Sequence, residues 1–485
     1  MGVLNLRANK RLKIATGVIL IVFLFIAGCA ALGKANNSKL SQNITFENIR
    51  ETDLDSQNIM NIINELTSEK YKGRLAGTKG NELATQYIAS YFKKIKLNYP
   101  SGLDTYLQHF DQNVRFTYTA PKLEILKENG EVEREYEYIK EFSVHTGNTK
   151  LSIKGEVSGK GVVIENPEDL ISNISAYEGK IILVPAAVIS NKGSGYIIEK
   201  IASESSKVAG IIVEVDIESP NHTYGSFAVG PNANPTAKFP EGKPMLFTCS
   251  VKVFKEITEA VNRGLDISMK ADFAIENVTA ANVIGYIEGK DKVLKNEFII
   301  IGAHFDHVGD NKNGTYNPGA LDNASGTAVM MEIARVLKEG NYKTKKSILF
   351  IAFNGEEEGL YGSYYYANNP LFPLNKDKTV MINLDMVGSK TEIPLTLMSY
   401  DSYNTKLREE FYEYSKVLKI DSIQDVGQGS DHNAFGAKGI DAVCLIHMDL
   451  RNGYHTPDDT IDKVDEKRIT EVANLVLYYL DKNAF

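Results

Sequence analysis

The chain has 485 residues, of which 43% are hydrophobic and 24% charged, a globular composition that excludes a collagen-like or wholly disordered chain. Lys and Arg number 54 and Asp and Glu number 62, so the formal charge of −8 argues against a nucleic-acid-binding protein. Three cysteines are too few for a disulfide scaffold, and the length predicts two or three structural units.

The N-terminus has the pattern of an export signal. Four basic residues lie within the first 13 positions, and an apolar run at 14–27 is followed by Gly28 and Cys29. The run is shorter than the roughly 20 residues that a membrane-spanning helix needs. Basic, apolar and small-residue regions in this order are typical of a signal peptide. The segment 26–29 resembles a bacterial lipobox, in which the cysteine is lipidated, and an uncleaved anchor helix is the alternative.

We therefore expect a lipoprotein signal peptide at 1–28 and a polar, Asn- and Ser-containing tether at 29–46. Together these predict an exported protein that is lipid-anchored through Cys29 on the outer face of the bacterial cell membrane. The mature chain keeps Cys249 and Cys444, which we expect as two buried thiols, with a pairing across space as the alternative.

Two amphipathic helices are predicted next, on either side of a loop at 73–80. Asp55 or Ser56 can cap the first helix, because both side chains accept hydrogen bonds from backbone N–H groups. Apolar residues at helical spacing predict one buried face for each helix. These residues are Ile59, Ile62, Ile63 and Leu66 in the first helix and Ala84, Tyr87, Ile88, Tyr91 and Ile95 in the second.

The middle of the chain is rich in β segments. Residues 106–140 predict strands joined by a hairpin turn at Asn129 and Gly130. From about 140 to 275 the segments are short and are separated by Gly-, Pro- and Ser-rich turns. This stretch has no cluster of possible metal ligands, so we interpret it as a separate β-rich insert without chemistry of its own. Its predicted elements are strands at 161–164, 180–184 and 210–215 and a helix at 197–208.

From Asn282 onward, continuous apolar strands alternate with helices. This alternation indicates an α/β fold with a mostly parallel central sheet and helices on both faces. The predicted strands are 297–303, 347–354, 379–384 and 441–446, and helical apolar stripes run through 330–337 and 469–480.

Residues that can bind metal follow these strands, at the edge where such sheets bind ligands. They are His304, Asp306 and His307, then Asp322, Glu356, Glu357 and Glu358, then Asp385, and finally Tyr454 and His455. Several carboxylates and imidazoles in one place require a neutralising cation. Nitrogen and oxygen donors without thiolate suit a catalytic zinc site. Two Zn²⁺ ions balance three carboxylates and one hydroxide, so the charge count favours two ions.

Each of these residues has a simpler role when it is taken alone. Asp322 can cap a helix, Asp385 can occupy a turn, and 356–358 can be a solvated acidic turn. His304 can make a strand-end hydrogen bond, and His455 can lie in a surface turn. Because all of them follow strand ends, we favour one shared site.

Six motifs make the chain resemble the co-catalytic dizinc aminopeptidase family, which includes secreted bacterial leucine aminopeptidases. They lie at 302–306, 319–326, 356–363, 383–386, 430–432 and 454–456. Residues 71–78 are also similar to the N-terminal segment of the family, and the insert resembles a protease-associated (PA) domain at 178–184 and 207–213. The resemblance implies a zinc-exopeptidase fold for most of the exported chain.

This interpretation divides the exported chain into three parts. The catalytic domain has its N-terminal part at 47–137 and carries the metal site in its second part at 276–485. The PA-like insert occupies 138–275 between them.

The resemblance implies a ligand role for each matching residue of the site and two Zn²⁺ ions per chain. Asp322 would bridge both ions. His304 and Asp385 would complete one site, and Glu357 and His455 would complete the other.

Further roles follow from the same resemblance. Glu356 would be the general base and would not bind metal directly. Tyr454 matches a position that stabilises the oxyanion in some members of the family. Asp306 would orient His304 through its second ring nitrogen, as outer carboxylates commonly do.

Three other histidines compete for ligand roles. We expect His307 to point away, because strand alternation puts it on the opposite face from Asp306. Asp431 and His432 lie in a Ser-Asp-His motif, and the resemblance places them beside the site as supporting residues. His447 suits a core or turn position better.

The expected function is that of a zinc metallopeptidase, an aminopeptidase that acts on peptides with a free N-terminus. A carboxypeptidase on the same scaffold should offer several Arg residues for a C-terminal carboxylate, and only Arg451 lies near the motifs. A glutaminyl cyclase of this likeness would use one zinc ion. A catalytically dead surface receptor, the remaining alternative, should have lost ligands, whereas every ligand position is filled here.

Overall fold

The computed structural model describes residues 46–144, 153–165, 174–190, 208–215 and 245–485. The predictions for the signal peptide, for Cys29 and for the tether up to 45 therefore lie outside the described residues, as do positions 197–207 of the predicted helix in the insert. Within the described part, no helix combines the length and the apolar character that a membrane crossing needs.

Fourteen strands in the described residues form one large sheet. They are β1 Leu107–Leu126, β2 Val132–Glu135, β3 Phe142–Val144, β4 Ile153–Val163, β5 Ile181–Val184, β6 Gly210–Val215, β7 Met245–Ser250, β8 Asp266–Ile287, β9 Phe298–His304, β10 Ser347–Phe353, β11 Thr379–Asp385, β12 Leu395–Ser399, β13 Ser422–Val426 and β14 Asp441–Ile446.

The described α-helices occupy the segments between these strands. They are α1 Ser56–Leu66, α2 Lys79–Lys94, α3 Ala186–Ser190, α4 Val251–Asn262, α5 Gly326–Glu339, α6 Tyr361–Asn368, α7 Lys406–Leu418, α8 His432–Gly436 and α9 Glu466–Asn483. Asp55 caps α1, because its carboxylate accepts a hydrogen bond from the backbone N–H of Asn58 at 3.1 Å.

The centre of the sheet is parallel. Strands β14, β11, β9 and β10 lie side by side in that order, each parallel to the next, and they are apolar and buried. Antiparallel neighbours flank them, with β8 beside β10 and β12 beside β14. Helices α1, α2, α5 and α9 pack in one apolar core, whereas α6 and α8 pack in another. The predicted α/β class with a large central sheet and helices is confirmed.

A long antiparallel ribbon of β1 and β8 joins the central sheet to the predicted insert. Strand β8 pairs with β10 near its C-terminal end and with β4 near its start, and β1 follows it over most of its length. Strands β4, β5, β6 and β7 then continue the same sheet, with β5 parallel to both β4 and β6. Because β8 runs across residues 275 and 276, the proposed domain boundary lies inside one strand, and the PA-like division stays a prediction.

Both cysteines of the described residues are buried free thiols, as expected. Cys249 lies in β7, in the apolar core of the insert region, where burial raises its pKa. Cys444 lies in the central strand β14, and the two thiols belong to separate cores.

Candidate metal centre

The carboxyl ends of the parallel strands bring the predicted residues to one edge of the sheet. His304 ends β9, Asp385 ends β11, and Glu356 and Glu357 follow β10 after a short turn. His455 comes from the loop after β14. Parallel neighbours end at the same edge, which explains why residues far apart in sequence meet here.

The first group of donors surrounds the imidazole of His304, which is 1% exposed. Its Nε2 lies 3.3 Å from Asp385 Oδ1, 3.4 Å from Asp322 Oδ1 and 4.0 Å from Glu356 Oε2. The hydroxyl of Ser430 donates a hydrogen bond to the other oxygen of Asp385 at 2.6 Å, which fixes the orientation of that carboxylate.

The second group has the same character and lies beside the first. His455 Nε2 is 2.9 Å from Glu357 Oε2 and 3.1 Å from Asp322 Oδ2. His307 Nδ1 is 2.8 Å from Glu357 Oε1 and 3.6 Å from Asp322 Oδ2. The two imidazole rings meet edge to face, with their centroids 5.4 Å apart. The expectation that His307 points away is wrong.

Asp322 contacts both groups. One of its oxygens faces His304, and the other faces His455 and His307. Its loop is held by the buried carboxylate of Asp459, which accepts the backbone N–H groups of Leu321 at 2.8 Å and of Asp322 at 3.0 Å. A shared carboxylate in this position can bridge two cations.

Asp306 supports the site through the backbone as well as through His304. The Nδ1 of His304 lies 3.3 Å from the main-chain oxygen of Asp306 and 3.8 Å from its carboxylate. That carboxylate accepts the backbone N–H groups of Glu356 at 3.2 Å and Glu357 at 3.3 Å. Burial raises the pKa of Asp306 to about 6. Asp306 therefore helps to fix both glutamates that follow β10.

Asp431 and His432 of the Ser-Asp-His motif lie close to the two donor groups. Burial raises the pKa of Asp431 to about 7; the nearby His304 opposes this shift, and Asp385 adds to it. His432 Nε2 faces the main-chain oxygen of Gly427 at 3.0 Å, and burial lowers its pKa. Neither residue belongs to the two donor groups.

Glu356 and Tyr454 complete the edge. The side chain of Glu356 is 12% exposed, and burial raises its pKa well above the ordinary range of a glutamate, although His304 opposes the shift. Burial also raises the pKa of Tyr454, with Asp322 and Glu357 contributing. The Tyr454 ring stacks on that of His455, with the centroids 3.7 Å apart.

A buried arginine ties the loops of the site together. Arg74 is 0% exposed, and its guanidinium donates to the main-chain oxygens of Phe305 at 2.6 Å, Pro318 at 2.6 Å and Gly319 at 2.9 Å. A fourth hydrogen bond reaches the oxygen of Leu66 at the end of α1 at 2.8 Å. Burial lowers its pKa to about 10. Arg74 thereby joins the loop after β9 to the loop that precedes Asp322.

The donor set fits zinc. Two groups of buried nitrogen and oxygen donors offer one ligand atom per residue, and within each group these atoms lie within 4.8 Å of one another. Burial lowers the pKa of His455, but Glu357 and Asp322 raise it more, to about 10. The buried carboxylates therefore favour a positively charged group between them. Imidazole and carboxylate ligands without thiolate are typical of catalytic zinc sites.

The structure brings together most residues that the sequence singled out. Every residue to which a metal-ligand role was assigned lies in one of the two groups. Sequence reasoning missed His307, Arg74 and Asp459. His447 lies elsewhere, as expected, because its Nδ1 accepts the backbone N–H of Gly388 at 3.0 Å. The individual roles of the grouped residues remain proposals.

Comparison with known proteins agrees with this geometry. Residues 282–480 match the model of peptidase family M28. Aminopeptidase YwaD of Bacillus subtilis is 34% identical over 234 residues, which cover 47% of this chain and 49% of that protein. Aminopeptidase NAALADL1 of Mus musculus is 26% identical over 274 residues, which cover 50% of this chain and 32% of the mouse protein. The chain thus spans about half the length, or less, of these curated relatives.

Solved structures share the fold over nearly the whole chain. An aminopeptidase from Aneurinibacillus sp. strain AM-1 gives a TM-score of 0.63 at 24% identity, covering 90% of this chain and 95% of the other. The zinc aminopeptidase BSAP from Bacillus subtilis gives 0.58 at 23% identity, covering 89% and 96%. The family model and the aminopeptidase relative confirm the resemblance to the co-catalytic zinc aminopeptidases. The region 282–480, which matches the model of peptidase family M28, carries both donor groups.

Proposed function

We propose that the protein is a zinc-dependent aminopeptidase that removes N-terminal residues from peptides. One observation carries this proposal: Asp322 contacts two buried donor groups, and the largely buried carboxylate of Glu356 lies beside them. The names of the relatives, an aminopeptidase from Bacillus subtilis among them, support the same activity.

One zinc ion would be held by His304, Asp322 and Asp385, and the other by Asp322, Glu357 and His455, as the contacts among these side chains allow. When bound, a pair of zinc ions supplies Lewis acidity, which polarises the scissile carbonyl and lowers the pKa of the attacking water. The protein supplies the fixed geometry of these ligands and their burial.

Glu356 moves the proton. Its carboxylate accepts a proton from the attacking water and then delivers it to the leaving amine, which converts the amine into a good leaving group. Burial raises the pKa of Glu356, so the carboxylate is a stronger base than an exposed glutamate. The backbone N–H of Glu356 is fixed by Asp306, which limits how far the base can drift from the substrate.

Tyr454 is the hydrogen-bond donor for the oxyanion. Its raised pKa keeps the phenol protonated at neutral pH, so the hydroxyl can donate to the negative charge that develops on the carbonyl oxygen. The carboxylates beside the zinc ions would attract the positively charged amino group of a peptide, which favours cleavage of the first residue.

A Glu356→Gln variant tests the role of the base. We expect it to keep its zinc and to lose turnover of an aminoacyl chromogenic substrate by about 10²–10⁴-fold, the usual contribution of general acid–base catalysis. Glu413→Gln is the matched control, because it alters an exposed glutamate that pairs with Lys416 on α7. A Glu356→Gln protein with the turnover of the wild type would contradict the proposal.

Peptides with blocked ends test the direction of cleavage. We expect free-amine peptides to be hydrolysed from the N-terminus and their N-acetylated forms to be resistant. Cleavage of N-acetylated peptides from the C-terminus would identify a carboxypeptidase instead. Cyclisation of N-terminal glutamine would identify a glutaminyl cyclase, and zinc-loaded protein without activity on any of these substrates would favour a receptor.

We also propose that the protein is exported and anchored in the bacterial membrane by a lipid on Cys29. The support is the sequence pattern at 1–29, in which basic, apolar and small residues precede the cysteine. Metabolic labelling with a fatty acid should mark the wild type and not the Cys29→Ala variant. Equal labelling of both proteins would contradict this anchor.

A further inference from the structure

His307 has no part in the mechanism above, yet its side chain lies inside the site. The residue follows β9 by three positions and is fully buried. Its Nδ1 faces the same two carboxylates as His455, namely Glu357 and Asp322. Two imidazoles therefore approach one pair of carboxylates from two sides.

His307, Asp322, Glu357 and His455 each offer one ligand atom, and these atoms lie within 4.8 Å of one another, close enough to enclose one ion. Zinc bonds to imidazole nitrogen and carboxylate oxygen of about 2.0–2.2 Å place the ligand atoms about 3.3–3.6 Å from one another. The contacts of His307 with Glu357 and Asp322 measure 2.8 and 3.6 Å, and those of His455 measure 2.9 and 3.1 Å. Only the 3.6 Å contact has the spacing of two ligands of one ion. The other three contacts are shorter, so a bound ion would move these side chains apart by a few tenths of an ångström.

The packing around His307 holds the ring in this position. Gly319 has a φ of +61°, and a Cβ atom there would lie 2.6 Å from both Cγ and Cδ2 of His307. The ring therefore lies directly against the backbone of Gly319. Among the described residues, the Nε2 of His307 has no hydrogen-bond partner, so Nδ1 is the nitrogen that makes polar contact.

We propose that His307 is a fourth protein ligand of the zinc ion held by Glu357, His455 and Asp322. This inference rests on the proposed zinc-dependent function. A site with four protein ligands is closed, in the way that structural zinc sites are, whereas a catalytic site keeps a position for water or substrate. The two zinc ions are consequently unequal.

The open position then belongs to the other group. His304, Asp322 and Asp385 supply three protein ligands there. Glu356 acts as the base in the proposed function and is not counted as a ligand, and its Oε2 lies 4.0 Å from His304 Nε2. Water and substrate therefore bind on the side where the base is available. The zinc ion beside His307 would be retained more tightly, because it would have one more protein ligand than its neighbour.

Zinc titration of the full chain tests this asymmetry. The metal-free wild type is titrated with Zn²⁺ against a chromogenic chelator, and we expect two binding steps of different affinity. His307→Ala should weaken the tighter step by more than about 100-fold, since loss of an outer partner alone costs 10–100-fold. His109→Ala is the matched control, because it removes an exposed imidazole on β1 and should leave both steps within threefold.

Anomalous diffraction at the zinc edge gives a second readout that needs no variant. We expect one zinc ion at about 2.0–2.1 Å from His307 Nδ1, the length of a zinc–imidazole bond. A separation beyond 3 Å, or a tighter step unchanged in folded His307→Ala protein, would overturn the inference and leave the proposed function intact. A wild type that binds no zinc would overturn both.

Discussion

Replacing Arg74 by methionine should destabilise the protein by about 3–5 kcal/mol, the usual cost of removing one partner from a buried charged network. The guanidinium is fully buried and donates four hydrogen bonds to main-chain oxygens. Hydrogen bonds to charged groups contribute about 1.5–3 kcal/mol each, and the cost of burying the cation offsets part of their sum. Methionine fills much of the space but leaves these oxygens without their donor.

The same change should weaken zinc binding. Arg74 bonds to Phe305, which lies next to His304, and to Pro318 and Gly319, which precede Asp322 in the same loop. Without it, the loops that carry ligands of both groups lose a common anchor. We expect a loss of zinc affinity of about 10–100-fold, as for other residues that orient ligands.

Urea unfolding followed by circular dichroism measures the effect, with zinc-saturated and EDTA-treated protein compared. Arg74→Lys should recover part of the loss, because an ammonium keeps the charge but has three donors on one atom instead of a planar fork of five. Arg263→Met is the control, since its guanidinium is 59% exposed and pairs with Glu133 at the surface. A free energy of unfolding for Arg74→Met within about 1 kcal/mol of the wild type would refute the reasoning.

Three further predictions concern the metal, a buried histidine and a loop. EDTA should abolish peptide hydrolysis and lower the midpoint of thermal unfolding, and zinc should restore both; chelator-resistant activity in metal-free protein would contradict the scheme. Burial lowers the pKa of His447 to about 3, below the roughly 6.5 of an unfolded chain. The neutral imidazole therefore stabilises the folded protein fully above pH 6.5, and this stabilisation is lost as the pH decreases below 6.5. Unfolding at pH 8 and 5 should show a loss of about 2 kcal/mol that His447→Gln lacks. Asp459→Asn should cost about 1–3 kcal/mol in the same assay, because an amide cannot accept from both Leu321 and Asp322 with two equivalent oxygens.

The sequence predicts the site well where the chain is in regular structure. His304 and Asp385 end apolar strands, and parallel neighbours in a sheet end at the same edge. Their proximity therefore follows from the strand pattern before any coordinates are known. The four strands predicted between 297 and 446 lie within one residue of their observed ends, whereas β12 and β13 in the same region were not predicted.

The prediction failed for His307, because it extended strand alternation beyond the strand. Strand β9 ends at His304, and the next residues have no regular structure. Side chains alternate between faces only while the backbone remains pleated. His307 lies three positions past that end, so strand parity says nothing about where its ring points.

Arg74 and Asp459 were missed for another reason. Both act on main-chain groups of loops that lie far away in sequence. Main-chain carbonyl and N–H groups occur in residues of almost every type, so no sequence pattern marks the ones that these two side chains contact. The Gly-rich composition around Arg74 indicates a loop but cannot show which other loops it joins.

The paired strands β1 and β8 have a mechanical consequence. Neither strand is interrupted by a linker between the central sheet and strands β4 to β7. Any movement of strands β4 to β7 relative to the central sheet must therefore bend the β1–β8 ribbon, and the hydrogen bonds between these two strands oppose that bending. The pairing register shifts between Thr117 and Lys122, and Pro121 in this segment has no backbone N–H to donate. The ribbon should therefore bend most easily at this segment. Tilting of the distal strands would pivot there, with the central sheet left undeformed.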